Sequence, residues 1–351
     1  MNLLTTCLLP KRHVVSFFIR GLVVLLLTSS PPALATTYEL SDNPGDSLIG
    51  DPLANELYTS ARYEDTLLDI ARNFNMGQLE ILLLNRSVDR WLPGQDTRVR
   101  LSNLRLLPDT PRQGLTLNLP EYRMYYFPGA EEGGKGIVKT FPHSIGRVDW
   151  RTPLGRTTVV RKTENPVWIP PASVRAEHAA NGDILPDIVP AGPDNPLGLF
   201  ALYLGIPGYL IHGTNKPFGV GMRVSHGCIR MYPEDIEELY PEIEIGTPVY
   251  IVNQPVKVGW YQDTLYIEVH PTLAETEAED ENGTIPKQTE KKYLERLKLA
   301  LKLIERANNH QMPVLDGEAL KKALQRYEGT PVAIYKRPVM TQASPANPEI
   351  P

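Results

Sequence analysis

Thirty-three prolines and twenty-six glycines run through 351 residues, and this punctuation constrains the architecture more than any other feature. Proline inside a helix removes a backbone donor and clashes with the preceding turn, whereas glycine and proline together favour turns. A helical bundle is a poor solution for such a chain. Short strands joined by turns, around β-rich cores, are expected instead. A hydrophobic content of 42% is enough to fill two or three modest cores and excludes a fibrous or wholly disordered chain. The formal charge of −5 provides no basic field, so nucleic acid is not an expected partner.

Lys11, Arg12 and Arg20 precede the apolar run Gly21 to Leu27, and Ala33-Leu34-Ala35 follows. This is the pattern of an export signal over residues 1–35, cleaved after Ala35. Arg20 leaves the apolar stretch short of the ~20 residues a bilayer span needs, so no membrane span is expected in the mature chain. Taking these three bases from the 36 leaves 33 against 41 acids, a net charge of −8 that disfavours anionic lipid. Cys7 leaves with the signal, and it lies before the apolar run rather than after it, as lipid attachment would require. The mature chain then holds one cysteine, Cys228. An exported chain stapled by disulfides carries an even number. Cys228 is therefore buried and inert, paired between chains, or used as a thiol.

Residues 36–57 read as a polar lead-in. In 58–107, Asp65-Thr66 can cap a helix whose Leu67, Leu68, Ile70, Ala71 and Phe74 fall on one face. Gln78 to Leu84 repeats the pattern, and Leu92-Pro93-Gly94-Gln95 turns into the alternating Arg98 to Leu101. The βααβ order resembles a LysM module, a binder of N-acetylglucosamine-containing glycans, on Tyr63-Glu64-Asp65-Thr66-Leu67, Ile70-Ala71, Phe74, Asn85 and Pro93-Gly94-Gln95. Glu64 stands where that family usually places glycine. From 112 to 253 short apolar runs are separated by turns: Leu115 to Leu119, Arg123 to Phe127, Ile137 to Thr140, Thr157 to Arg161, Leu199 to Leu204, Tyr209 to His212 and Pro248 to Val252. A proline-dense insertion from Trp168 to Gly198 has the character of an active-site lid. In the extension 258–337, Leu265 to Val269 is a strand, Glu275 to Glu281 a solvated acidic linker, and Glu290 to Ala307 an amphipathic helix with Leu294, Leu297, Leu301 and Ile304 on one stripe. Residues 338–351 are Pro/Ala-rich and expected to be disordered.

Two motifs fail on inspection. Gly129 to Lys135 has the spacing of a phosphate-binding loop, yet Gly136 replaces the magnesium-binding Ser/Thr and two glutamates would repel phosphate, so a hairpin turn is the better reading. Ser225 lacks the first glycine of a nucleophile elbow, because Arg223 occupies it. The informative stretch is Ile211-His212-Gly213-Thr214 followed by Val224-Ser225-His226-Gly227-Cys228-Ile229-Arg230. A thiol acts as a nucleophile when ionised, and a neighbouring imidazole or guanidinium promotes that. Gly227 allows close approach, backbone N–H groups around Cys228 can face an oxyanion, and Pro233 opens a short helix. Zinc held by His212, His226 and Cys228 would lack a fourth ligand. A core role for Cys228 conflicts with its polar flanks, and a redox role would need a second cysteine.

Together with Ser144-Ile145-Gly146-Arg147 and Thr152-Pro153-Leu154-Gly155, these residues resemble the L,D-transpeptidases with a YkuD-type catalytic domain, most closely the exported subgroup with a LysM module and a C-terminal extension. The resemblance implies a mostly β, sandwich-like catalytic domain over 112–253, beside the LysM-like module and an α/β extension. It implies Cys228 as nucleophile and His212 as proton donor and acceptor, with Gly213, Ser225, His226, Gly227 and Arg230 in supporting or substrate-binding positions. The expected chemistry is acyl transfer in the periplasm, without metal or cofactor. A peptidoglycan stem tetrapeptide would acylate Cys228, D-alanine would leave, and a lipoprotein lysine or a second stem would accept the acyl group. A hydrolase of the same fold and a wall-binding scaffold stand as alternatives.

Overall fold

The structure is a computed structural model that describes residues 36–52, 57–129, 136–278 and 288–338. The expected export signal, residues 130–135 of the glycine-rich turn, the end of the acidic stretch and the tail from 339 lie outside the described residues.

The described chain is mostly sheet with some helices. Its first elements are β1 (Thr36–Glu39), β2 (Leu48–Ile49), β3 (Leu57–Ser60), α1 (Leu67–Asn73), α2 (Gln78–Leu84), β4 (Arg98–Leu101) and β5 (Arg105–Leu106). Next come β6 (Gly114–Asn118), β7 (Arg123–Phe127), β8 (Ile137–Gly146), β9 (Gly155–Glu164), α3 (Ala172–Ala180), β10 (Phe200–Leu204), β11 (Leu210–His212), β12 (Arg223–Ser225), β13 (Ile229–Met231), α4 (Pro233–Glu242) and β14 (Pro248–Val252). The last are β15 (Val256–Tyr261), β16 (Thr264–Val269), α5 (Leu273–Thr276), α6 (Glu290–Ala307), α7 (Gly317–Arg326) and β17 (Val332–Lys336).

Strand pairing runs β8-β13-β11-β10-β9-β14-β6-β7 and returns to β8, which also carries β1 and β12. Two long strands each serve two layers. The start of β9 pairs with β14 and its remainder with β10. The start of β8 pairs with β1 and β7, and its end with β13 and β12. Strands that bend from layer to layer close a sandwich and leave few free edges. Leu115, Leu117, Met124, Phe141, Leu202, Ile211, Ile229, Met231 and Ile251 fill its interior, each contributing about 1.5–3 kcal/mol by burial. Side chains alternate across a strand, so Tyr125 and Phe127 point the other way, into a second cluster with Tyr38, Ile49 and Val138. The expectation of a loose lead-in is therefore corrected: β1 pairs with β8 from Thr36 onward, and Tyr38 and Ile49 cover the outer face of the sandwich.

Residues 57–101 form a strand, two helices and a strand, with β3 antiparallel to β4 around a core that includes Leu67, Ile70, Ile81 and Val99. Thr66 caps α1 in a reciprocal box with Asp69. Phe74 follows α1 as its C-cap and is 45% exposed, so it does not share the buried face. After the sandwich, β15-β16-β17 make a three-stranded sheet packed with α6 and α7. Two expectations are corrected here. Leu294 is 53% exposed because Ala300 and Ile304 define the buried stripe. Glu275 is no part of a solvated linker, since it closes the N-terminal box of α5 with Thr272 and pairs with the buried Arg296. No described helix is long and apolar enough to cross a membrane.

Candidate active site

β11 and β13 lie side by side in parallel, with Ile211 opposite Ile229 and His212 opposite Arg230. Ile211, Ile229 and Met231 point into the sandwich core. Alternation therefore puts His212 and Arg230 on the outer face, and Cys228, two residues before Arg230, emerges on that face at the mouth of β13. The apolar pattern of two very short strands thus aims the polar residues.

Cys228 is half-buried, and its Sγ lies 3.6 Å from the Gly208 carbonyl. Burial raises the thiol above its ordinary range, while the Leu210 N–H and the charge of Arg230 pull it down. His212 is 3% exposed, and its Nδ1 meets the Gly213 carbonyl at 2.6 Å. Because a carbonyl only accepts, the proton sits on Nδ1 and leaves Nε2 as a base. Burial, helped by Arg230, pushes the imidazole down to about 3, so it is neutral at physiological pH. Gly213 has Ile236 of α4 close behind it.

The turn between β12 and β13 is held by hydroxyls. Ser225 Oγ accepts from the Gly227 N–H at 3.2 Å and donates to the Cys228 carbonyl. Thr152 Oγ1 donates to the Gly227 carbonyl at 2.9 Å and accepts from the Gly146 N–H at 3.1 Å. Of the backbone donors expected to face an oxyanion, that of Gly227 is thus engaged by Ser225. Gly227 has φ +100°, and a Cβ there would lie 2.8 Å from the Tyr209 ring. Only glycine suits that position.

His226 faces elsewhere. Its Nε2 lies 3.0 Å from Glu177 Oε2 and 3.1 Å from an Arg147 nitrogen, and its ring sits edge-on to Trp150 at 5.2 Å. Burial lowers its pKa, against the pull of Glu177. Glu177 belongs to α3, so the proline-dense insertion reaches back onto the motif. The sequence reading missed Glu177, Thr152 and Tyr209. Thr152 lay within the Thr152-Pro153-Leu154-Gly155 motif, Glu177 inside the insertion expected to be a lid, and Tyr209 at the start of the run that ends in His212, but none was singled out as a site residue. Among the described residues, His212, His226 and Cys228 do not form a cluster of ligand atoms within 4.8 Å; Glu121, Glu268 and His270 do, but Lys257 sits 2.9 and 2.8 Å from the two carboxylates. The Lys257 nitrogen thus already bridges the two carboxylates that a cation would need.

The family model of the L,D-transpeptidase catalytic domain, YkuD, matches residues 112–251. The probable L,D-transpeptidase YbiS of Escherichia coli (strain K12) is 37% identical over 305 residues, covering 86% of this chain and 93% of the relative. The probable L,D-transpeptidase ErfK/SrfK of Salmonella typhimurium (strain LT2) is 39% identical over 252 residues, 71% of this chain and 79% of the relative. The probable L,D-transpeptidase YcfS of Escherichia coli (strain K12) is 41% identical over 249 residues, 70% and 75% respectively.

Proposed function

The chain belongs to the L,D-transpeptidase family and is a cysteine-dependent acyltransferase of peptidoglycan, and on that premise we propose how its residues divide the reaction. Cys228 attacks the carbonyl of the third residue of a stem tetrapeptide as Nε2 of His212 takes the thiol proton. Imidazolium His212 then protonates the departing amine, D-alanine leaves and a thioester remains. An acceptor amine gives its proton to His212, attacks the thioester and restores the thiol. Each bond made replaces one broken, so no external energy source is required. The carrying observation is the outer face shared by Cys228, Arg230 and His212, whose Nδ1 meets the Gly213 carbonyl. Arg230 supplies a cation for a substrate carboxylate, Gly227 makes room for the Tyr209 ring and Gly213 for the Ile236 side chain, and Ser225 fixes the turn. His226 holds the insertion through Glu177, which keeps water from the thioester.

In this reading residues 1–35 direct export to the periplasm, the 58–107 module is LysM-like and binds glycan strands, 258–337 is a C-terminal extension, and the acceptor is a lipoprotein lysine or a second stem. The test is D-alanine release from a tetrapeptide by the parent, Cys228→Ala and His212→Ala proteins. Loss in both supports the assignment. Release by Cys228→Ala overturns it, and parental release by His212→Ala removes the histidine from its role.

A further inference from the structure

The segment that carries Cys228 is held on both sides by one neighbour, the βααβ module. Upstream, the first turn of α2 donates to the chain just before β12: the Gln78 N–H to the Val220 carbonyl at 3.1 Å, and the Leu79 N–H to the Gly221 carbonyl at 3.2 Å. Backbone meets backbone there. Gly221 has φ +85°, and a Cβ on it would lie 2.2 Å from the Gln78 nitrogen; a Cβ on Gly77 would lie 3.1 Å from Gly221 Cα. Downstream, the Tyr232 hydroxyl donates to the Met76 carbonyl at 3.2 Å, and Asn75 Nδ2 donates to Asp235 Oδ1 at 2.9 Å. Arg72 grips Glu234 through two bonds of 2.7 and 2.8 Å. Arg123 of β7, 1% exposed, backs this seam by donating to the Asn75 carbonyl at 2.8 Å and to Glu80 at 2.7 Å.

A module that served only to tether the enzyme to glycan would need a linker, not a seam of part-buried ion pairs, a buried Asn75–Asp235 hydrogen bond and a contact with no room for a side chain. We propose that the βααβ module is a positioning part of the transpeptidase centre, clamping residues 220–235 at both ends so that the Cys228 thiol stands correctly against His212. The inference rests on the roles assigned above to Cys228 and His212. Both ends of the clamp are close to the chemistry. The upstream end continues through Met222, whose carbonyl accepts from the Ile145 N–H at 3.1 Å, directly into β12. The downstream end enters α4, whose Ile236 lies behind Gly213 and so behind His212. Arg72, Gly77, Gly221 and Glu234 are positioning residues that act through the chain they hold.

The experiment uses the full-length mature protein with a glycan-free tetrapeptide donor and a small amine acceptor, so that sugar binding plays no part. Arg72→Ala, Gly221→Ala and the charge swap Arg72→Glu with Glu234→Arg are compared with the parent. Arg72→Ala is expected to lower kcat for D-alanine release about tenfold with KM within about twofold, as a misplaced reacting group does. The charge swap should restore most of the loss. Gly221→Ala meets backbone, so it is read only if its circular dichroism matches the parent; otherwise the Arg72 and Glu234 pair decides. Parental kcat in Arg72→Ala, or a charge swap as slow as the single variant, overturns the proposal and leaves the module as a tether. Cys228→Ala runs alongside, because D-alanine release by that variant would sink the chemical reading rather than the clamp.

Discussion

A thiol raised by burial and an imidazole pushed down to about 3 are both neutral at rest, so the proton moves during attack and no preformed ion pair waits for substrate. The consequence is measurable without substrate. Iodoacetamide alkylation of Cys228 should keep accelerating from pH 6 to beyond pH 8.5, because the thiolate fraction is still growing there. A plateau between pH 6 and 8 would indicate a standing ion pair and contradict this account. Turn geometry makes a second demand: Gly227→Ala must place a Cβ 2.8 Å from Tyr209 at a φ of +100°, a strain of about 1–3 kcal/mol. Loss of D-alanine release is expected there even if the fold survives. The sequence drew attention to Cys228 because the expected mature chain's one cysteine shares a short window with two histidines and an arginine, but the choice of His212 over His226 came from the family resemblance. The partner of His226 was not legible. Glu177 lies 49 residues upstream within an irregular insertion, and only the fold returns it to the motif.

Elements were legible in proportion to their length and regularity. The 18-residue α6 announces itself by periodicity, whereas β2 has two residues and no period to read. Its partner β5 is equally short, and Leu106 of β5 is held by distant side chains, its N–H donating to Glu268 and its carbonyl accepting from Lys257. Helix faces misled where tertiary contacts decide: Phe74 sits at a helix end, and the buried Arg296 of α6 answers Glu275. The insertion helix α3 is the element with a functional lever. It is anchored by Arg147 and His226 on the single carboxylate of Glu177. Glu177→Ala should free it and admit water to the acyl-enzyme. The expected result is more hydrolysed and less amine-captured product, read by mass spectrometry, with total D-alanine release changed less than about threefold. An unchanged product ratio would remove α3 from that role.

At the scale of the whole molecule, pH acts on several buried groups, three of which, His143, His212 and Asp235, set opposing trends above pH 4.5. His143 is pushed down to about 4 and His212 to about 3, both first by burial, so each is neutral when folded and charged when unfolded below about pH 6.5. Their contribution to stability is complete above pH 6.5 and is lost as pH falls toward those values. Asp235 is opposite: burial, reinforced by Glu234, raises it well above the carboxylate range, so it keeps its proton when folded and loses it when unfolded above about pH 4. Its contribution declines as pH rises. Between pH 6 and 4.5 the unfolded chain therefore binds two protons on the histidines and the folded chain one on Asp235. On these three groups the unfolded chain binds up to one proton more, so stability falls on acidification by at most about 1 kcal/mol per pH unit. Asp235→Asn keeps the acceptor oxygen that Asn75 uses at 2.9 Å and removes the opposing group. The slope should then roughly double, and the variant should exceed the parent by a margin that widens as pH rises toward 8. Urea unfolding midpoints at pH 4.5, 6 and 8 measure both quantities. A parent curve flat across that range, or a variant that gains nothing at pH 8, would mean that the Asn75 and Asp235 seam between module and sandwich is not the neutral contact its burial requires.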